Sequence, residues 1–414
     1  MMKIALPVLA ALLALAGGTT ASRAEDNDWS VIQRGLYLTR AGDCAACHTV
    51  EGGKPFAGGY PLKTPFGTVY SANLTPDGDT GLGTWDEGDF YRAMNAGRSK
   101  DGSRLYPAFP YTHFTYVTRE DSDAIFSYLQ TLQPVRNRVS KPDLVWPLSW
   151  RFLMIGWNWL NFDEKSFVPD AGKSPAYNRG KYLVEGLMHC GMCHSPKNVI
   201  GAEEDDPGDR FAGGMAEGWL APPLVGGSRE GIGDWSEDDL VQYLKYGRNG
   251  RSIAFGPMAQ VVSLSTQHMT DDDLQAVATY LKDIAIQQQD RGTKETKQAA
   301  QMSDDVKHVG ALVYATQCSA CHRADGKGVP NMLPPLADSS FVQADHPRSV
   351  IRLILEGGKG VATSKFPTPH KMPAFDWKLT DDEVAAVATY VRNSFGNGAP
   401  AVSADDVEEV RKAQ

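Results

Sequence analysis

The six cysteines of the chain fall into three pairs of one spacing, Cys44-x-x-Cys47, Cys190-x-x-Cys193 and Cys318-x-x-Cys321. A histidine follows each pair at once: His48, His194 and His322. The pairs start 146 and 128 residues apart. A motif that recurs at domain-sized intervals and uses every cysteine predicts a chain built from repeats. At 414 residues and 42% hydrophobic content, the chain is long enough for several cores.

The flanks repeat as well. Arg34-Gly35-Leu36-Tyr37-Leu38 precedes the first pair and Arg179-Gly180-Lys181-Tyr182-Leu183 the second, while Gly310 and Tyr314 stand before the third. Gly83-Thr84-Trp85 and Gly233-Asp234-Trp235 open helical patterns that close at Gly97-Arg98 and Gly247-Arg248. Thr118 with Asp121, Thr270 with Asp273 and Thr380 with Glu383 predict capping boxes before apolar residues at helical spacing, such as Leu274, Val277, Ala278 and Leu281. Aspartate bonds back less well than glutamate, but its charge suits a helix N-terminus. Strand alternation is scarce. The expected fold is mainly α, with three domains in tandem at 25–135, 176–288 and 304–398. An apolar connector fills 136–175, a polar linker 289–303 and a charged tail 399–414.

C-x-x-C-H is the attachment spacing of a c-type haem. Two intervening residues put both thiols on one side of about one helical turn, where they meet the two vinyl groups of the porphyrin. The next residue then offers its imidazole to the iron. A zinc site needs four ligands, and no further cysteine remains to complete one. A redox C-x-x-C calls for a βαβ setting, which is absent. The prediction is three covalent haems c, on Cys44 and Cys47, Cys190 and Cys193, and Cys318 and Cys321. His48, His194 and His322 are the proximal ligands, and each domain is cytochrome c-like.

The N-terminus fits that chemistry. Met1-Met2-Lys3, an apolar run from Ile4 to Ala16 and the small-residue end Ser22-Arg23-Ala24 make a secretory signal, residues 1–24. The run of thirteen residues is short for the ~20 that cross a bilayer. The expected location is periplasmic, at the outer face of the cytoplasmic membrane. Net charge is −9 before cleavage. Removing Lys3 and Arg23 leaves 39 basic against 50 acidic residues, a net of −11. No nucleic-acid partner is expected at that balance.

An electron-transfer haem takes a sixth ligand, most often Met or His. Gly256-Pro257-Met258 and Met372-Pro373-Ala374 are expected on the loop before the last helix of repeats two and three. Met258 and Met372 are the expected ligands. In repeat one the slot reads Tyr106-Pro107-Ala108-Phe109-Pro110, and phenylalanine cannot bind iron. His113, four residues on, could supply a nitrogen. Met94 aligns with Leu244 and reads as core, and an empty sixth position is the third option. His189, directly before Cys190, reads as packing on the haem edge. The stretch Leu144–Phe162 carries four of the nine tryptophans and one charge, Arg151. It reads equally as a membrane or partner surface and as packing between domains one and two.

On these residues the chain resembles the three-haem cytochrome c subunits of bacterial membrane-bound dehydrogenases. The triple motif, Arg34-Gly35-x-Tyr37-Leu38 and its copy, Asn73-Leu74-Thr75-Pro76, Gly156-Trp157-Asn158 and Gly256-Pro257-Met258 carry the resemblance. It implies an electron relay from a catalytic dehydrogenase subunit of flavin, PQQ or molybdenum type towards ubiquinone or a terminal oxidase. By the same resemblance Met258 and Met372 are axial ligands, and oxidation of an alcohol, sugar acid or aldehyde belongs to the partner chain. The alternatives from other classes are a haem peroxidase and a haem-based ligand sensor, either using an open first iron.

Overall fold

The protein is described from a computed structural model covering residues 20–204, 206, 208–226, 231–287 and 300–413. Residues 1–19 of the expected signal and 289–299 of the expected linker lie outside them. The described residues are mainly helical, with three small antiparallel strand sets.

The first domain runs α1 (Thr20–Ala41), α2 (Cys44–His48), the hairpin β1 (Pro61–Thr64) and β2 (Gly67–Tyr70), then α3 (Glu87–Ala96), α4 (Tyr111–Phe114) and α5 (Arg119–Gln130). The connector returns to it as strand β3 (Asp143–Leu144), which pairs Leu144 with Gly67, and as helix α6 (Met154–Asn161). The second domain repeats the plan: α7 (Pro175–Lys181), α8 (Gly191–His194), hairpin β4 (Gly214–Ala216) and β5 (Trp219–Ala221), α9 (Glu237–Tyr246), α10 (Gly256–Leu264) and α11 (Asp271–Gln287). The third has α12 (Asp304–Val313), α13 (Ser319–His322), α14 (Ser340–Gln343), α15 (Arg348–Glu356), hairpin β6 (Gly358–Lys359) and β7 (Lys371–Met372), α16 (Asp381–Arg392) and α17 (Ala404–Lys412). Helices α3 and α9 both stop at a left-handed glycine, Gly97 at φ 60° and Gly247 at φ 67°, a conformation in which a Cβ is costly.

One crossing is repeated three times. In each domain the helix before the motif crosses a later one, α5, α11 or α16, at a glycine. A Cβ on Gly35 would lie 1.9 Å from the Ala124 carbonyl oxygen, on Gly180 2.0 Å from that of Ala276, and on Gly310 2.5 Å from that of Ala386. A tyrosine Cβ stands beside each: Tyr128, Tyr280 and Tyr390. Only a residue without a side chain lets the two backbones approach so closely.

The residues around these crossings explain why the capping position is aspartate in two repeats and glutamate in the third. Thr380 and Glu383 close a full box on α16. On α5 and α11 the threonine half forms, with Asp121 N–H donating to Thr118 and Asp273 N–H to Thr270. The carboxylates are diverted. Asp121 accepts from Arg34 Nε of its own domain at 2.8 Å and from the Tyr182 hydroxyl of the second domain at 2.5 Å. Asp273 accepts from Arg179 Nε at 2.7 Å and from Tyr37 of the first domain at 2.5 Å. The repeated Arg-Gly-x-Tyr segment thus pairs its arginine within a domain and sends its tyrosine across to the other. Counting from Gly310, the third domain has Val309 and Leu312 at these places and takes no part in the exchange.

The first two domains also share one core. Leu38, Phe114 and Ile125 belong to the same buried cluster as Leu183, Leu187 and Leu274. Burying each such side chain contributes ~1.5–3 kcal/mol. The third domain has its own core around Ile351, Leu355, Val384 and Ala388. The tail departs from expectation. Ser403 and Asp406 form a capping box, and α17 buries Val407 and Val410 in that third core. Arg411 of the same helix pairs with Asp381 and donates to the Asp376 carbonyl, so the third domain extends to Lys412.

Candidate haem c sites

Each motif lies on a single helical turn set off by an irregular backbone. Asp43 and His189, next to the first cysteine of motifs one and two, take left-handed conformations at φ 52° and 41°. Wide π-type turns, Tyr182–Leu187 and Tyr314–Cys318, lead into motifs two and three. All six thiols are free. Burial pushes Cys44, Cys47 and Cys190 up to about 12 and Cys318 to about 11. That environment suits a sulfur that ends as a neutral thioether better than one that binds a metal as thiolate. No group of three or more His, Cys, Asp or Glu that could hold a metal ion occurs among the described residues.

The histidines carry the decisive geometry. His48 Nδ1 bonds to the Ala72 carbonyl at 2.7 Å, His194 Nδ1 to that of Pro222 at 2.7 Å, and His322 Nδ1 to that of Pro334 at 3.0 Å. A carbonyl only accepts, so Nδ1 holds the proton and Nε2 keeps its lone pair. The bond also fixes the ring plane, as an outer partner does for a ligating imidazole. Burial, opposed by that bond, lowers the pKa of all three and favours the neutral ring. These residues fit a c-type haem: two thiols on one turn, then an oriented imidazole with a free nitrogen. The acceptors on Ala72, Pro222 and Pro334 leave no side-chain signal in the sequence, since every residue has a carbonyl.

Of the expected sixth ligands, Met258 lies in the first turn of α10 rather than on a loop, and Met372 lies in β7 paired with Gly358. Both are half-buried. Met258 borders the core that Cys190 borders, and Met372 the core that Cys318 borders. Phe109 and Cys44 border the same joint core as Met258 and Cys190.

His113, expected as a ligand of the first iron, is engaged elsewhere in this structure. It is buried, and both ring nitrogens are engaged, Nδ1 with the Glu185 carbonyl at 2.8 Å and Nε2 with Glu203 Oε1 at 2.7 Å. The one-turn helix α4 aims it into the second domain, where a Cβ on Gly191 would stand 2.9 Å from its Cε1. It therefore braces the second motif. Burial opposes ionisation of Glu203, but its attraction to and hydrogen bond with His113, helped by Lys197 and Arg210, hold that carboxyl below its usual value. His189 is also at this junction, its Nε2 3.3 Å from the Gly42 carbonyl and its ring edge-on to Phe114. Burial first, then the neighbouring His113, pull its pKa down to about 4.

Comparison with known proteins agrees with this geometry. The cytochrome c family profile matches residues 32–133 and 308–395, the first and third repeats. The gluconate 2-dehydrogenase cytochrome c subunit of Pantoea cypripedii is 43% identical over 98% of this chain and 96% of its own length. The cytochrome c subunits of the quinone alcohol dehydrogenases of Gluconacetobacter polyoxogenes and Gluconobacter oxydans are each 39% identical, over 97% and 99% of this chain and 88% of theirs. The likeness spans the second repeat as well, and the chain belongs to the cytochrome c family, among the cytochrome c subunits of dehydrogenases.

Proposed function

We propose that the chain carries three covalent haems c and relays electrons from a catalytic dehydrogenase subunit towards ubiquinone or a terminal oxidase. The observation that supports this most is the threefold imidazole whose Nδ1 is tied to a carbonyl beside two free thiols. Bound haem c supplies a one-electron ferric–ferrous couple. The chain's residues attach it, fix one axial ligand and exclude water. Met258 and Met372 would hold the second and third irons, and Phe109 would shield the first without binding it. The partner oxidises an alcohol or a sugar acid, in keeping with the named relatives, or an aldehyde. Mass spectrometry of the exported protein should show three haem masses on a chain beginning at Glu25. Two haems, or haem extracted by acidified acetone, would refute the assignment.

The location proposed is the periplasmic face of the cytoplasmic membrane. No helix among the described residues is long and apolar enough to cross a membrane. The connector supplies a surface instead. Its inner side is pinned to the first domain: Met154 and Asn158 are buried, Tyr111 hydrogen-bonds with the Asn158 side-chain amide at 2.6 Å, and Arg151 lies over the Tyr106 ring. Its outer side presents Trp146, Trp150, Phe152, Ile155, Trp159 and Leu160, with Trp159 84% exposed. Aromatic residues so displayed favour a membrane boundary. Replacing Trp146, Trp150 and Trp159 by serine should release the protein from membranes without detergent and leave every haem in place. Retention of the variant on washed membranes would remove this surface from consideration.

A further inference from the structure

Arg248 is 2% exposed, yet no carboxylate pairs with it among the described residues. Burial alone lowers its pKa. A buried guanidinium without a counter-ion is expensive, so its contacts call for an account. It follows α9 in the second domain, where its backbone bridges to Ile253, but its guanidinium reaches groups of the third. Nη1 donates to the Asn331 carbonyl at 3.2 Å and Nη2 to the Val361 carbonyl at 3.2 Å. The guanidinium carbon lies 4.5 Å from the centre of the Phe366 ring. Nε is buried without a partner. Arg98, at the matching place in the first repeat, is exposed.

The two carbonyls belong to different walls of the third site. Asn331 is in the turn closed by Val329 and Leu333, and the next residue, Pro334, holds the Nδ1 proton of His322. That is the proximal wall. Val361 follows β6, whose Gly358 pairs with Met372 on β7. That is the distal wall. Val361 also shares a small core with Ala254 and Val262 of the second domain, against which Met258 packs.

We propose that Arg248 is a positioning residue that acts from the second domain on the third haem site, one guanidinium fork holding the proximal turn and the distal hairpin at a fixed separation. The proposal rests on the three-haem assignment. It explains why a cation is kept where burial disfavours it: two carbonyls in different directions need the planar fork of arginine, which lysine cannot reproduce. A consequence is that the third site is completed by its neighbour, so its Met372 ligation depends on the seam between domains two and three.

The test uses the full three-haem chain with Arg248→Met and Arg248→Lys. Three readouts serve: the resolved reduction potentials, the Met–iron charge-transfer absorbance, and carbon monoxide taken up by the reduced protein. In Arg248→Met one wave should move to lower potential, part of the charge-transfer band should disappear, and one more equivalent of carbon monoxide should bind than to wild type. Arg248→Lys should behave like Arg248→Met. Unchanged potentials and uptake would overturn the proposal, as would full rescue by lysine, which would make charge rather than the fork the active property. If Arg248→Met fails to fold, Phe366→Leu, which removes only the ring beneath the guanidinium, should shift the same wave by less, and no shift there also overturns it. Fewer than three haems in the wild type would instead sink the underlying assignment, whatever the variants show.

Discussion

Gly180→Ala should cost about 3 kcal/mol, the upper end of overpacking losses. The added Cβ would fall 2.0 Å from the Ala276 carbonyl oxygen, with the Tyr280 Cβ 2.7 Å away. Backbone cannot swing aside as a flexible side chain can, so α7 and α11 must separate. With a shared core of two domains behind it, the transition should fall by ~6–12 °C. Gly310→Ala, whose nearest atom is 2.5 Å away, should lose less. Gly156→Ala is the control: nothing lies within 4 Å of its Cβ, and alanine within a helix should gain ~0.5–1 kcal/mol. Thermal melts followed by circular dichroism decide the matter, and a Gly180→Ala protein that melts with the wild type would show that the crossing is not as close as described.

The first haem should be five-coordinate. Phe109 stands at the slot in the sequence where repeats two and three have Met258 and Met372, and it has no lone pair to give. His113 has both nitrogens engaged. Met94 is 4% exposed within the core, its sulfur facing the Ser122 hydroxyl. A third of the haem in the wild type should therefore be high-spin, and the reduced protein should bind one equivalent of carbon monoxide. Phe109→Met should convert that haem to low-spin, block carbon monoxide and raise its potential, because thioether ligation favours the ferrous state. His113→Ala should leave the spin state alone while weakening the junction with the second domain. A wild type in which every haem is low-spin contradicts the assignment, and Met94→Leu would then show whether that sulfur is the ligand.

Much of this site was legible because its chemistry fixes spacing. Two thiols and an imidazole must meet one porphyrin edge, and C-x-x-C-H records that constraint locally. The capping threonines were legible for the same reason, since a hydroxyl bonds a backbone N–H three residues on. Spacing failed where the partner was remote. His113 is four residues from Phe109, which suggested a shared role, but one turn of helix sends it to Glu185 and Glu203, 72 and 90 residues away. Asp121 and Asp273 read as ordinary box residues, whereas tyrosines of the opposite domain claim them. The tail was misread for a different reason. Its acids and bases dominate the composition, while Val407 and Val410, three apart after the Ser403 cap, carry the helical face that docks.

The crossed tyrosines imply a particular folding cooperativity. Asp121 is completed by Tyr182 and Asp273 by Tyr37, so neither of the first two domains can close its own polar network before the other is present. A nascent chain that has finished only the first domain leaves Asp121 without its second donor and part of the joint core open to water. Stability in such a pair is a property of the pair, and the two are expected to open together as one foldon. The third domain, with a separate core and its own C-terminal helix, forms a second cooperative unit. Three sequence repeats thus become two thermodynamic bodies, and the seam held by Arg248 is the boundary between them.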